Sequence, residues 1–274
     1  MDPVLLLKAF ILGVVEGVTE FLPVSSTGHL VIASQLMSMK DERTDLFLIV
    51  IQFAAILAVC WEYRARIFKV LNSILHDEES TNLSRNIVVA FLPLAILGLL
   101  FGSQLKHLLF APVPIAIAFI VGGVVILWAE RREHTITVNE VEEMTWKDAL
   151  KIGIVQAFAL IPGTSRSGAT IIGGLLFGLS RKAAAEFTFF LAIPTLGAAS
   201  LYELYKHREL LNTDDIGMWA VGLVASFASA LLVVRGLLRY ISKHDFSVFA
   251  WYRIGFGIFV LVTGQMGWVH WSPT

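Results

Sequence analysis

Charge is what this sequence has least of. Asp, Glu, Lys and Arg make up 16% of its 274 residues, whereas a soluble domain carries about a quarter. An ordinary water-soluble fold is thereby excluded. The charges that remain nearly cancel, at −1 net. They nowhere form a basic stripe interleaved with aromatics, so no nucleic-acid partner is expected. Cysteine occurs once, as Cys60 inside an apolar run. No internal disulfide can form and no redox compartment is indicated; Cys60 reads as a small buried hydrophobe. The opening MDPVLLLKAF lacks the basic n-region and small-residue cleavage site of a signal peptide, and reads as mature protein. No soluble domain or long linker is expected, and the polar stretch 131–146 reads as a connecting loop.

What the chain has in quantity is apolar surface, at 56% hydrophobic residues. Long apolar runs recur at 46–61, 87–101, 108–129, 187–201, 216–234 and 254–268. With their flanks, several reach the roughly 17–25 residues a spanning helix needs. Spans are expected at about 45–63, 86–102, 111–130, 183–203, 216–235 and 249–268. The fold class is an all-α polytopic membrane protein, a single integral membrane domain over 1–274. Trp61, Trp128, Trp146, Trp219, Trp251, Trp268 and Trp271 mostly stand at run ends, as interfacial anchors do.

A shift of 140 residues lays GVVEGVTEFLPVSSTGHLVI (13–32) over GIVQAFALIPGTSRSGATII (153–172) without a gap. Gly13 meets Gly153, Ser25 meets Ser165 and Gly28 meets Gly168. A polar, proline-containing break interrupts both segments at matching places. Paired broken helices in two halves point to a site near the membrane midplane. Neither half of either segment spans easily, so both are read as re-entrant hairpins. Their irregular backbone survives only against protein or a wet cavity. The expected architecture is an inverted-topology repeat, about 1–130 and 146–270, with six transmembrane helices plus two re-entrant helical hairpins. With the N-terminus outside, the inner side collects Arg64, Arg66, Lys69, Arg85, Arg131, Arg132, Lys147, Lys151, Arg181, Lys182, Arg235, Arg239 and Lys243, 13 cations against 5 outside (Lys40, Arg43, Lys106, Lys206 and Arg208). This follows the positive-inside rule. The count supports the orientation and is neutral on re-entrance.

The polar breaks carry the chemistry. Glu16 and Glu20 stand i, i+4, on one face of a helix over 4–21, where like charges repel and ionised groups at membrane depth are costly. A shared proton, a cationic partner or a divalent ion would each resolve the conflict, as would a place in interfacial water. Carboxylate oxygens suit Mg²⁺ or Ca²⁺. Gly13 and Gly17 permit close helix packing. In PVSSTGH (23–29), Pro23 ends the incoming helix. Ser25 or Ser26 caps the outgoing one, whose free amides make an anion site. His29 lies one turn beyond Ser26, the pattern of a base beside a nucleophile; ordinary caps and a satisfied histidine are the plainer alternative. PGTSRSGAT (162–170) is a second helix start, with Gly163, Thr164, Ser165, Ser167 and Thr170 around Arg166. The guanidinium fork matches phosphate oxygens; a snorkelling arginine would have aliphatic neighbours. Acids, a nucleophile–base pair, anion-binding helix starts and a cation are the parts that phosphoryl chemistry needs. Gly122–Gly123, Gly173–Gly174, Gly178 and Gly255–Gly257 read as helix-packing positions. Glu186 and Arg253 read as intramembrane partners or span-end caps, outside the site.

Glu16–Glu20, an E-x-x-x-E element running on into LPVSSTGH, and PGTSRSGAT, a P-G-x-S-R-S-x-x-T element, resemble the two motifs of the bacterial undecaprenyl-diphosphatase family, the bacitracin-resistance proteins. Neither motif departs from the family pattern, and the order of apolar runs extends the resemblance over essentially the whole chain. The resemblance implies hydrolysis of undecaprenyl diphosphate to undecaprenyl phosphate, the lipid carrier of cell-wall precursors. It implies catalytic roles for Glu16, Glu20, Ser26, His29 and Arg166, and dependence on a divalent cation. It further implies inverted repeats with two re-entrant hairpins in the bacterial inner membrane, a pocket opening to the outer face, and agrees with a homodimer. On this reading Ser26 attacks the terminal phosphorus or positions a water, and His29 is the general base. Arg166 and the two helix starts (Ser25, Thr27, Gly163, Thr164, Ser165, Ser167 and Thr170) hold the diphosphate. Glu16 and Glu20 hold the cation or manage leaving-group protons. A secondary transporter or lipid flippase shares inverted repeats and broken helices, but needs no Ser-x-x-His pair. SSTGH is also similar to the PSGH element of the type-2 phosphatidic acid phosphatases, whose S-R-x₅-H element fails here because Ile172 stands at the histidine position.

Overall fold

A computed structural model describes residues 2–39, 41–109, 111–211 and 215–267. Lys40, Trp268 and Trp271, named above, lie outside these residues. The described chain folds into helices α1 (Pro3–Thr19), α2 (Ser26–Leu36), α3 (Glu42–Glu62), α4 (Arg64–Ser73), α5 (Glu78–Leu109), α6 (Pro112–Glu130), α7 (Trp146–Gln156), α8 (Arg166–Leu176), α9 (Arg181–Lys206), α10 (Ile216–Ile241) and α11 (Ser247–Gln265). Six of them, α3, α5, α6, α9, α10 and α11, are long and apolar enough to cross a membrane. The protein is an all-α polytopic membrane protein. The stretch between the first two spans holds a helix of its own, the polar-faced α4. The 131–146 loop is pinned to the end of α8 by Thr137 and Val138 amides donating to Gly178 O.

The two polar breaks fall where the shift placed them. Helices α2 and α8 are each 11 residues long. They start at Ser26 and Arg166 and end at Leu36 and Leu176, so the 140-residue offset holds at both ends. Each is preceded by a serine in the left-handed region, Ser25 at φ 72° and Ser165 at φ 73°. A side chain there costs about 1–3 kcal/mol and persists only where its surroundings hold it. The same strain at matched positions marks both breaks as built features.

Glycines set the close packing. α1 runs along α10: a Cβ at Gly13 would lie 2.5 Å from Gly222 O, and one at Gly17 2.3 Å from Ser226 O. α7 leans likewise on α5, where a Cβ at Gly153 would lie 2.6 Å from Ala90 O. Thus the first helix of each hairpin rests on a span from the other half of the chain. α6 and α11 pack reciprocally: Gly123 faces Ala250 O and Gly257 faces Ala116 O, each 2.7 Å from an added Cβ. Gly255 faces open space instead, so it takes no part in packing. The central core joins Phe21 of the first break, Ile171 and Ile172 of α8, Phe189 of α9 and Val234 of α10. Trp219 is also not an interfacial anchor: it is buried with its ring 5.9 Å from that of Phe47, because α10 is held against α3 there. Trp61, Trp128, Trp146 and Trp251 are exposed.

Candidate active site

The tips of the two broken hairpins meet inside the bundle. Ser167 Oγ, on the first turn of α8, donates to Leu22 O of the other hairpin at 2.7 Å. Across this junction Glu20, which caps the end of α1, accepts from Ser26 Oγ at one carboxylate oxygen. Its other oxygen accepts from Arg166 Nη2 at 3.3 Å. The Glu20 and Arg166 side chains are 4% and 8% exposed, so this is a buried ion pair between the two halves. Removing either partner would strand a buried charge. Arg166 Nη1 also donates to Thr188 O at 3.2 Å, while its Nε has no partner. Of the resolutions open to the acidic pair, a cationic partner is the one Glu20 has.

Glu16 differs. It is fully buried, and neither carboxylate oxygen has a hydrogen-bond partner. An orphaned carboxylate costs far more than an orphaned amide, so a cation or a proton belongs beside it. Among the described residues no group of three or more His, Cys, Asp or Glu gathers. The donor set is two carboxylates with free or shareable oxygens. That fits a divalent ion held in the manner of Mg²⁺ sites, by one or two carboxylates completed by substrate phosphates.

His29 makes its hydrogen bonds to groups other than the serine hydroxyl. Its Nδ1 lies 2.7 Å from Ser25 O and its Nε2 2.6 Å from Tyr252 Oη of α11. A carbonyl only accepts, so Nδ1 carries a proton; in the neutral ring Nε2 then accepts from the tyrosine hydroxyl. The imidazole is stacked on Phe256 at 4.5 Å and on Tyr252 at 5.6 Å. Both nitrogens are thus committed, and the expected Ser26–His29 hydrogen bond is not made. The geometry has His29 gripping the carbonyl of Ser25, the strained residue that aims Ser26.

The amides at the start of α2 are left open. Ser25 makes no side-chain cap there, whereas Ser165 Oγ accepts from Gly168 N at 3.0 Å in α8. Uncapped amides at a helix start, beside an arginine, have the donor chemistry that suits an anion. They face a cavity of about 760 Å³ lined at one end by Glu20, Ser25, Ser26, Thr27, Arg166 and Ser167. Gly163 and Ser165 border it too. Thr170 stands behind, fully buried, accepting from Thr188 Oγ1 at 2.8 Å. Thr164 lies on the turn, its amide donating to Ile161 O at 3.1 Å, and does not border the cavity. The rest of the lining is mostly apolar, with Phe91, Leu94 and Ala95 of α5 and Leu196 of α9. Sequence reasoning missed Gln52, Thr195 and Glu203, which also border the cavity, and Tyr252 and Arg253, which support the hairpin tips. Tyr252 is 223 residues from His29, so no local pattern joins them. Arg253 offered one signal, a lone charge well inside an aromatic-rich apolar run.

Six span-length apolar helices around a cavity that Ser26, Glu20 and Arg166 border among mostly apolar residues define a class: polytopic α-helical membrane proteins with a buried polar cluster. The chain belongs to the family described as bacitracin resistance protein BacA, whose model matches residues 9–259. It is 66% identical to undecaprenyl-diphosphatase 2 of Rhodospirillum rubrum, over 99% of this chain and 100% of that protein. The undecaprenyl-diphosphatase of Dechloromonas aromatica is also 66% identical, over 99% of each chain. That of Nitrosospira multiformis is 62% identical, over 99% of this chain and 100% of its own length. With its six apolar helices, the chain is a multi-pass membrane protein of a bacterial family.

Proposed function

We propose that the protein hydrolyses undecaprenyl diphosphate to undecaprenyl phosphate and inorganic phosphate, so recycling the lipid carrier of peptidoglycan synthesis and giving resistance to bacitracin. The observation that carries this reading is the chain of contacts Ser26–Glu20–Arg166 at the polar end of a cavity with apolar walls. A diphosphate headgroup suits the polar end and a prenyl chain suits the walls.

Arg166 and the open amides of α2 bind the diphosphate and face the charge that grows on its oxygens. Ser26 Oγ attacks the terminal phosphorus, or orients a water that does; the P–O anhydride bond breaks and undecaprenyl phosphate leaves. A water attack releases inorganic phosphate directly; a serine attack leaves a phosphoserine, which water then hydrolyses to inorganic phosphate and the free hydroxyl. Glu20 accepts the nucleophile's proton, since it already holds the hydroxyl. His29, with Tyr252, fixes the backbone turn that aims Ser26. Glu16 and Glu20 would hold a divalent cation together with substrate oxygens, and that ion would supply charge neutralisation. On this reading the site opens to the outer face. α5 and α9 border the cavity with their later residues, Gly102 and Glu203 among them, and the excess of cations at the opposite ends supports an outer position for these.

Phosphate release by purified protein tests the reading: prenyl diphosphates of several chain lengths, with and without chelator, for wild type and Arg166→Ala. Robust release abolished by Arg166→Ala is expected. Lipid movement across vesicles without phosphate release would instead mark a flippase.

A further inference from the structure

Among the described residues the largest fully buried side chain is a cation that the reaction as described does not use. Arg253 of α11 is 0% exposed, in the interior of a membrane protein, where an isolated charge is expensive. Its hydrogen bonds all end on backbone carbonyls. Nη1 donates to Pro23 O at 3.1 Å and Nη2 to Gly163 O at 2.9 Å. Nη2 also donates to Ala118 O at 3.0 Å and Nε to Phe119 O at 3.3 Å.

The first two acceptors are the important ones. Pro23 stands in the break of the first hairpin, two residues before Ser25. Gly163 stands in the break of the second, three residues before Arg166, at φ +90°. One guanidinium therefore holds both tips, while its other two bonds anchor it to α6. The surroundings are shaped for it. A Cβ at Gly122 would lie 2.1 Å from Nη2, and the Phe119 ring lies 5.4 Å from Cζ. Breaks in a membrane helix free carbonyls that water cannot reach, and these must find donors within the protein. A planar fork of five N–H groups reaches several at once; a lysine ammonium is a point with three.

We propose that Arg253 is a positioning residue for the hydrolysis: it sets the register of the two hairpin tips, and through it the placement of Ser26 against Arg166. Tyr252 beside it holds His29, so one turn of α11 supports both helix starts. The consequence for rate rests on the hydrolase reading above; the consequence for the tips does not.

The test is Arg253→Lys in the full-length protein in detergent, which keeps the charge and loses the fork. Two readouts are taken: steady-state phosphate release from a prenyl diphosphate, and amide hydrogen exchange over 21–28 and 161–168. A misplacement of about 1 Å costs on the order of 10²-fold in rate. The expectation is therefore a fall of kcat by about that factor with KM changed less than about threefold, together with faster exchange confined to the two tips. Unchanged exchange overturns the proposal whatever the rate does, and so does wild-type kcat. Should Arg253→Lys fail to fold, Gly122→Ala crowds the guanidinium from its other side and must give the same two-tip pattern in milder form; exchange spread evenly over the chain would refute it. If wild type releases no phosphate but Arg253→Lys still loosens both tips, the hydrolase reading fails and the structural role of Arg253 stands.

Discussion

Which group takes the proton of Ser26 is open to a direct comparison of two variants. The hydroxyl is bonded to Glu20, and both nitrogens of His29 are occupied by Ser25 O and Tyr252. Glu20→Gln keeps size and shape but removes the basic oxygen. Positioned general bases contribute about 10²–10⁴-fold, which is about 2.7–5.5 kcal/mol of barrier. Glu20→Gln should lower kcat by that range, or further because Arg166 loses its counterion. His29→Asn removes hydrogen bonds that steady the turn, worth about 1–3 kcal/mol of stability, and should lower kcat by about tenfold or less. The assay is phosphate release at saturating substrate by protein that elutes as wild type on size exclusion, with unfolding followed in parallel. In the double variant the loss should match that of Glu20→Gln multiplied by the small His29 effect. The reasoning is refuted if folded His29→Asn loses as much kcat as Glu20→Gln and the double variant loses no more than either. That pattern would make the histidine and the carboxylate one catalytic unit.

Chelation should abolish phosphate release, with Mg²⁺ or Ca²⁺ restoring it, because the orphaned oxygens of Glu16 lack a positive partner; activity indifferent to chelator would remove the cation from the scheme. Gly17→Ala places a methyl 2.3 Å from Ser226 O, so α1 must shift off α10, and a stability loss of about 1–3 kcal/mol or more is expected in a detergent unfolding series. Asp41 caps α3, accepting from the Thr44 amide at 2.8 Å, and its bond with the Thr44 hydroxyl holds its carboxyl below the usual value. Its stabilisation is present above the ordinary aspartate value and fades as pH falls through the lowered one. Asp41→Ala should cost about 0.5–2 kcal/mol near neutrality, and the difference from wild type should shrink in acid.

The spans were legible because a bilayer demands length and hydrophobicity together, and both are written in single residues. The breaks were legible because a serine and a glycine recurred 140 residues apart, with a proline one residue off the same offset. A helix start is a local event, and α2 and α8 obey the offset to the residue. The site's residue types were legible for the same reason: each lies within a few positions of a break. Pairings were not. Proximity along the helix set His29 beside Ser26, but the Ser25 carbonyl takes one imidazole nitrogen and Tyr252 of α11, arriving from the far end of the chain, takes the other. Arg253 reads equally as an intramembrane partner or a span-end cap, because a lone arginine has no period to betray its face. Only the carbonyls of two distant breaks explain its burial. Trp219 misled for the opposite reason, since a tryptophan at the end of a run is an anchor unless another helix covers it, and α3 does.

Division of charge between the two halves has a physical consequence beyond catalysis. Glu16 and Glu20 belong to the first break and Arg166 to the second, and all three are buried or nearly so. Neither hairpin alone can bury its own charge without a partner, and a stranded charge costs about 3–5 kcal/mol even inside a protein. Each hairpin therefore stays unfavourable at membrane depth until the other arrives. The cross-bonds Ser167–Leu22 and Arg253 to Pro23 and Gly163 work in the same direction. Docking of the hairpins and assembly of the site are then one cooperative event. A half-chain bearing only the first break should leave its acids accessible to water, and carbodiimide should modify Glu16 in that fragment far faster than in the whole protein. Equal rates would mean that the first hairpin buries its acids unaided.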